Sequence, residues 1–124
     1  MSEETPDRVA VYADGTATRE ALDRMANRWT ILITVVLEDG PARFNELKNR
    51  LGITSQVLTR TLRDLERDGL VKREVFMEVP ARVEYSLTEL GGTMCAPVLA
   101  VREWAEEIAT KINEAREAFD GPKG

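Results

Sequence analysis

The sequence predicts a mostly helical α+β domain with one small β-hairpin, and three features carry that prediction. Two short amphipathic segments, residues 44–51 and 54–68, flank a tight turn at Gly52. A β-rich run follows, residues 70–76 and 82–87, interrupted by a proline loop. A long apolar stripe at helical spacing then runs to the C-terminal end. Two helices joined by a glycine turn form a helix-turn-helix, and the hairpin behind them is its wing.

Each element has local signals. Residues 1–15 carry Pro6 and Asp14-Gly15 without apolar periodicity and read as an N-terminal arm. Thr16 or Thr18 caps the first helix, with Glu20 and Asp23 near its positive end. Leu22, Met25, Ala26 and Trp29 recur at i, i+3, i+4 and i+7, one helix face, and Asn27-Arg28 marks a break. Residues 29–37 are apolar on nearly every side, as expected of a fully buried helix. Gly40 and Pro41 end it. Ala42-Arg43 reads as a minor strand. Phe44, Leu47 and Leu51 mark the next helix, and Thr54 caps the one after, with Leu58, Leu62 and Leu65 facing inward. Val83, Tyr85 and Leu87 alternate as a half-buried strand. Thr88 caps the last helix, where Pro97 either kinks the helix or starts a second segment. The domain is expected to span residues 16–118, with its terminal helix at about 88–118 and a frayed tail over 119–124.

Composition narrows the function. With 43% hydrophobic and 31% charged residues, the chain is globular rather than disordered. No apolar run approaches membrane-spanning length, and the acidic N-terminus does not resemble a targeting peptide. A cytoplasmic, nucleoid-associated location is therefore expected. There is no histidine and one cysteine, Cys95, which removes His-dependent catalysis and Cys/His metal sites. No cofactor or metal is expected. The net charge of −5 argues against nucleic acid taken whole, but its distribution does not. Residues 42–82 hold nine Lys/Arg against six acids, a net +3, so the rest of the chain carries −8. Phosphate attraction acts over about 8–10 Å in physiological salt, so the local sign matters more than the total.

The second helix of the turn motif is the candidate reader of DNA. Opposite its leucines lie Thr54, Ser55, Gln56, Thr59, Arg60 and Arg63, residue types that reach base edges or phosphates in a major groove. Asp64, Glu66 and Asp68 gather at its far end. Arg43, Asn45, Lys48, Arg73 and Arg82 are candidate backbone and wing contacts.

Several segments resemble the HxlR family of winged helix-turn-helix regulators. They are Ala21-Leu22-Asp23, Arg28-Trp29-Thr30, Arg43-Phe44-Asn45-Glu46-Leu47, Val57-Leu58-Thr59, Leu62-Arg63-Asp64-Leu65-Glu66 and Asp68-Gly69-Leu70-Val71. The most specific is the run from Val79-Pro80 through Val83-Glu84-Tyr85-Ser86-Leu87-Thr88. The resemblance covers roughly residues 16–106. It implies a bacterial transcriptional regulator, a homodimer paired through its N- and C-terminal helices on a near-palindromic operator. Three positions depart from the family. Thr16 stands where many members carry a sensing cysteine, Ala26-Asn27-Arg28 replaces Gly-Gly-Lys, and Ser55-Gln56 replaces Pro-Lys.

The terminal stripe supports the dimer on its own terms. Trp104, Ile108 and Ile112 would be exposed in a monomer because the helix outruns the winged core, and a symmetric partner would bury them. The interface expected from the stripe and the resemblance together is Leu22, Val101, Trp104, Ile108 and Ile112. An effector pocket would be lined by Met25, Trp29, Met94 and Trp104, residues that otherwise read as plain core. Cys95 reads as a small buried hydrophobe or as an oxidisable thiol near the dimer seam. The function expected is that of a sequence-specific double-stranded-DNA-binding regulator, a repressor. The alternative is a winged-helix protein-interaction module that does not bind DNA. An enzyme is not expected, because it would need a carboxylate pair such as Glu74 with Glu84 in a cleft.

Overall fold

A computed structural model describes residues 7–121. After a one-turn 3-10 helix at Ala10–Tyr12, the order is α1 (Ala17–Ala26), α2 (Arg28–Glu38), α3 (Phe44–Leu51), α4 (Ser55–Arg67), β1 (Val71–Phe76), β2 (Arg82–Leu87), α5 (Glu89–Gly92) and α6 (Cys95–Asp120). This is the winged helix-turn-helix arrangement, mostly helical with one antiparallel hairpin.

Short polar side chains set the helix boundaries. Thr16 begins α1 by accepting a hydrogen bond from the Arg19 N–H at 3.1 Å. Asn27 adopts extended backbone, which stops α1, and its Oδ1 accepts from the Trp29 N–H at 2.8 Å, which starts α2. One residue thus makes the break read at Asn27-Arg28. Gly52 ends α3 at φ 65°, a left-handed conformation that a side chain would disfavour. Two residues later Thr54 Oγ1 accepts from the Val57 N–H and opens α4.

The core gathers around α2, which touches α1, α3, α4, α6 and β2. Ile33, Val36 and Leu37 meet Leu47 of α3, Leu58, Leu62 and Leu65 of α4, and Val71 of β1. The full burial expected of residues 29–37 is only half realised, because Leu32 stays 38% exposed on the outer face of α2. Two threonines lie fully buried in that helix, and Thr34 satisfies its hydroxyl by donating to the Thr30 carbonyl at 2.7 Å.

In the hairpin Val71 pairs with Leu87 and Phe76 with Arg82. Ala42 adds a single bridge to Tyr85, the reduced form of the minor strand read at Ala42-Arg43. Thr88 caps the four-residue α5 rather than the terminal helix. The chain breaks at Thr93 and Met94, and α6 begins at Cys95 with Pro97 in its first turn, where a missing N–H costs nothing. Pro97 therefore starts a second segment instead of kinking one. The helix continues through Phe119 to Asp120, the first two residues of the expected tail. The remainder of the expected tail, residues 122–124, lies outside the described residues, as do residues 1–6 of the expected arm. At 26 residues α6 is about 39 Å long. It outruns the domain, and Val98 is its only buried residue.

Candidate nucleic-acid interface

The leucines of α4 point into the core, which leaves its other face outward. Ser55, Gln56, Thr59, Arg60 and Arg63 line one shallow surface there, with Asp64 at its edge. Thr54 is also exposed, but its oxygen is the cap acceptor, so its first role is structural. Among the described residues, neither Arg60 nor Arg63 lies within ion-pair distance of a carboxylate. Their guanidinium groups remain free for an outside anion.

The flanking cations fall into two groups. Arg43 and Asn45 are exposed at the start of α3, and Lys48 is half-buried further along it. Arg73 on β1 lies beside Thr59, Arg63 and Glu66, which extends the positive surface from α4 onto the hairpin. Arg82 differs from the rest. It meets Glu78 at 3.3 Å and Glu84 at 3.7 Å, and its guanidinium sits 4.2 Å from the Phe76 ring centre. That arginine braces the hairpin and is not free in the way Arg73 is. The loop beyond it exposes Met77 and Val79 instead of a base. Glu74 and Glu84 are register partners across the strands, and Glu84 lies within reach of Arg82.

Arg24 is a site residue that sequence reasoning missed. From α1 it donates to Asp68 and lies 3.8 Å from Asp64. The hydrogen bond to Asp68 raises its pKa, against a smaller opposing effect of burial. Two of the three acids at the far end of α4, Asp64 and Asp68, thereby share one guanidinium within the chain. No local signal pairs α1 with residues 40 and 44 positions away.

A cleft of about 450 Å³ lies between α1, the start of β1, α5 and the start of α6. Of the four residues read as lining an effector pocket, Met25 and Met94 line this cleft. Trp29 and Trp104 do not. Trp29 packs on the core, with Arg28 stacked 4.8 Å from its ring centre. Trp104 is 60% exposed and shares a face of α6 with Ile108 and Ile112. Both tryptophans follow the helical stripe correctly but sit too far round or too far along to reach the cleft. Leu22, Val101 and Ile112 are exposed too, and Ile108 is half-buried.

Cys95 is half-buried at the start of α6, against Glu38 from the end of α2. Desolvation pushes its thiol pKa up, and the hydrogen bond and charge of Glu38 push it further. Less thiolate is then present at neutral pH. Alkylation of Cys95 by iodoacetamide should be slow, and should keep accelerating with pH past the point where a free thiol levels off. Glu38→Gln removes the smaller of the two causes and should speed the reaction near neutral pH. Equal rates in the two proteins would show that Glu38 does not act on the thiol.

A tight turn, an outward helix with free arginines and a hairpin behind it define a winged helix-turn-helix DNA-binding protein. The profile of the HxlR-like helix-turn-helix family matches residues 24–113, and the chain belongs to that family. YdeP of Bacillus subtilis strain 168, an uncharacterized HTH-type transcriptional regulator, is 40% identical over 111 residues, 86% of this chain and 87% of YdeP. The structure of ytfH from Salmonella typhimurium is similar at TM-score 0.77 and 36% identity, over 86% of this chain and 96% of that one. The redox regulator HypR in its reduced form matches at TM-score 0.72 and 39% identity, over 80% of this chain and 99% of that one. The family is one of DNA-binding transcription regulators. Among the described residues, no helix is long and apolar enough to cross a membrane.

Proposed function

We propose that this regulator is a homodimeric repressor that reads a near-palindromic operator with α4. The observation that carries the reading is the exposed face of Ser55, Gln56, Thr59, Arg60 and Arg63, whose arginines are free of ion pairs among the described residues. Arg43, Asn45, Lys48 and Arg73 hold the flanking phosphates, while Arg82 keeps the hairpin rigid. Its working place is the cytoplasm, on the nucleoid. Selection from a random duplex library should recover an inverted repeat with half-sites about one helical turn apart. About six phosphate contacts per dimer should give log affinity a slope near −5 against log salt. Recovery of no sequence, with no salt dependence, would favour the protein-interaction module, for which the net acidity is the supporting observation.

The exposed face of Trp104, Ile108 and Ile112 on α6, together with Leu22 and Val101, supports the dimer. Trp104→Glu should convert a dimer to a monomer in sedimentation and weaken operator binding by about a hundredfold, because the two half-sites then bind separately. Thr110→Glu, on the opposite side of α6, should leave both unchanged. A dimer that survives Trp104→Glu would move the interface elsewhere. The cleft beside α1 is the place for a small-molecule effector.

A further inference from the structure

The cleft joins an apolar floor to a polar rim of definite sign. Met25, Leu70, Leu90 and Met94 supply the floor. Glu20, Arg24 and Asp68 supply the rim, two carboxylates against one guanidinium. That guanidinium is already engaged, since Arg24 donates to Asp68 and approaches Asp64. Glu20 has no ion-pair partner among the described residues. A few polar groups converging over an apolar floor are the usual makeup of a small-molecule site. An anionic ligand entering there would meet carboxylates and no free cation.

We infer that the cleft binds a small amphipathic molecule with an apolar body and a single cationic group, and that the Arg24–Asp68 contact passes its presence to α4. The coupling half of this inference rests on reading α4 as the DNA-binding helix. The ligand's body covers the floor, and its cation lies by Glu20 and Asp68. There it competes with Arg24 for the Asp68 carboxylate. Asp68 is the C-cap of α4, and Leu70, two residues on, is part of the floor, so the ligand touches the end of the recognition helix directly. On the other side, α1 contributes no residue to the core, packs against α2, and is tied to the end of α4 by the Arg24 contact that the ligand would break. Ligand and operator then oppose each other's binding by the same factor.

The test uses the full chain and a matched pair of probes, 4-phenylbutylammonium and 4-phenylbutyrate, which share a body and differ in sign. In calorimetry at low salt the ammonium should bind about tenfold more tightly, and the gap should close as salt rises. Glu20→Gln should remove most of that preference. Ala17→Trp and Thr93→Trp fill the cleft from opposite walls, and each should abolish binding while thermal unfolding stays normal. Equal affinity for both probes, or binding that survives both tryptophan variants, would overturn the site. Binding by a monomer that vanishes on dimerisation would also overturn it, because a partner's helix would then be the occupant. On an operator recovered by selection, saturating ammonium should weaken DNA binding about tenfold in the wild type and leave Arg24→Gln unaffected. An unchanged wild type overturns the coupling. Failure of the ligand-free protein to bind any DNA would overturn the recognition-helix reading and the coupling with it, while the calorimetry still decides the cleft.

Discussion

Arg60→Ala and Arg63→Ala should each weaken operator binding by about 1–3 kcal/mol per half-site, on the order of ten- to a hundredfold. A twofold dimer carries each substitution twice, so the double variant should bind the operator no better than random duplex. Both side chains are exposed and make no ion pair among the described residues, so the fold loses nothing when they are shortened. Circular dichroism and the melting temperature should therefore match the wild type. Fluorescence anisotropy at fixed salt gives the affinities. Repeating the titration on mismatched operators separates base reading from phosphate holding. Loss on every sequence alike would make the arginines backbone contacts, and normal binding by both variants would move the reading face off α4.

The largest effect on stability should come from Gly91→Ala. Gly91 lies in α5, where a Cβ would sit 1.8 Å from the Leu70 carbonyl oxygen. Its backbone angle is ordinary, so the constraint is space and not conformation. The close approach is held by Thr88. Its N–H donates to the Leu70 carbonyl at 3.1 Å, and its hydroxyl donates to Gly69 at 2.6 Å and accepts from the Gly91 N–H at 2.9 Å. A methyl group there forces α5 off the start of β1 and strains those bonds. The expected loss is about 2–4 kcal/mol, a fall in melting temperature of roughly 10–20 °C for a domain of this size. Gly92→Ala next door, with nothing within 4 Å, should stay within about 0.5 kcal/mol. A similar melting temperature for both would show that α5 can slide away without loss.

These two predictions differ in what made them visible. The arginines of α4 can be read from a helical wheel, because a helix boundary and an apolar period are local properties. Thr16, Asn27, Gly52 and Thr54 act within a few residues of themselves, and they end or begin helices where the sequence indicates. The hairpin is legible for the same reason, since alternation from Val83 to Leu87 needs no knowledge of the rest of the chain. The boundaries of the last helix were less so. Thr88 has the chemistry of a cap, but whether four residues or thirty follow it depends on Gly91 meeting Leu70.

The candidate site divides along the same line. The sequence by itself determined a winged helix-turn-helix, the outward residues of α4 and the long uncovered stripe of α6, because periodicity and capping are short-range. Only the tertiary structure decided which charges are free. It tied Arg82 to Glu78, Glu84 and Phe76, and it brought Arg24 across 44 positions to Asp68. It also kept Met25 and Met94 in the cleft while leaving Trp29 on the core and Trp104 on the outer face of α6. The reason is geometric. An ion pair or a cleft is made by groups on different elements, and its existence depends on the angles at which those elements pack, which no local pattern of residues encodes.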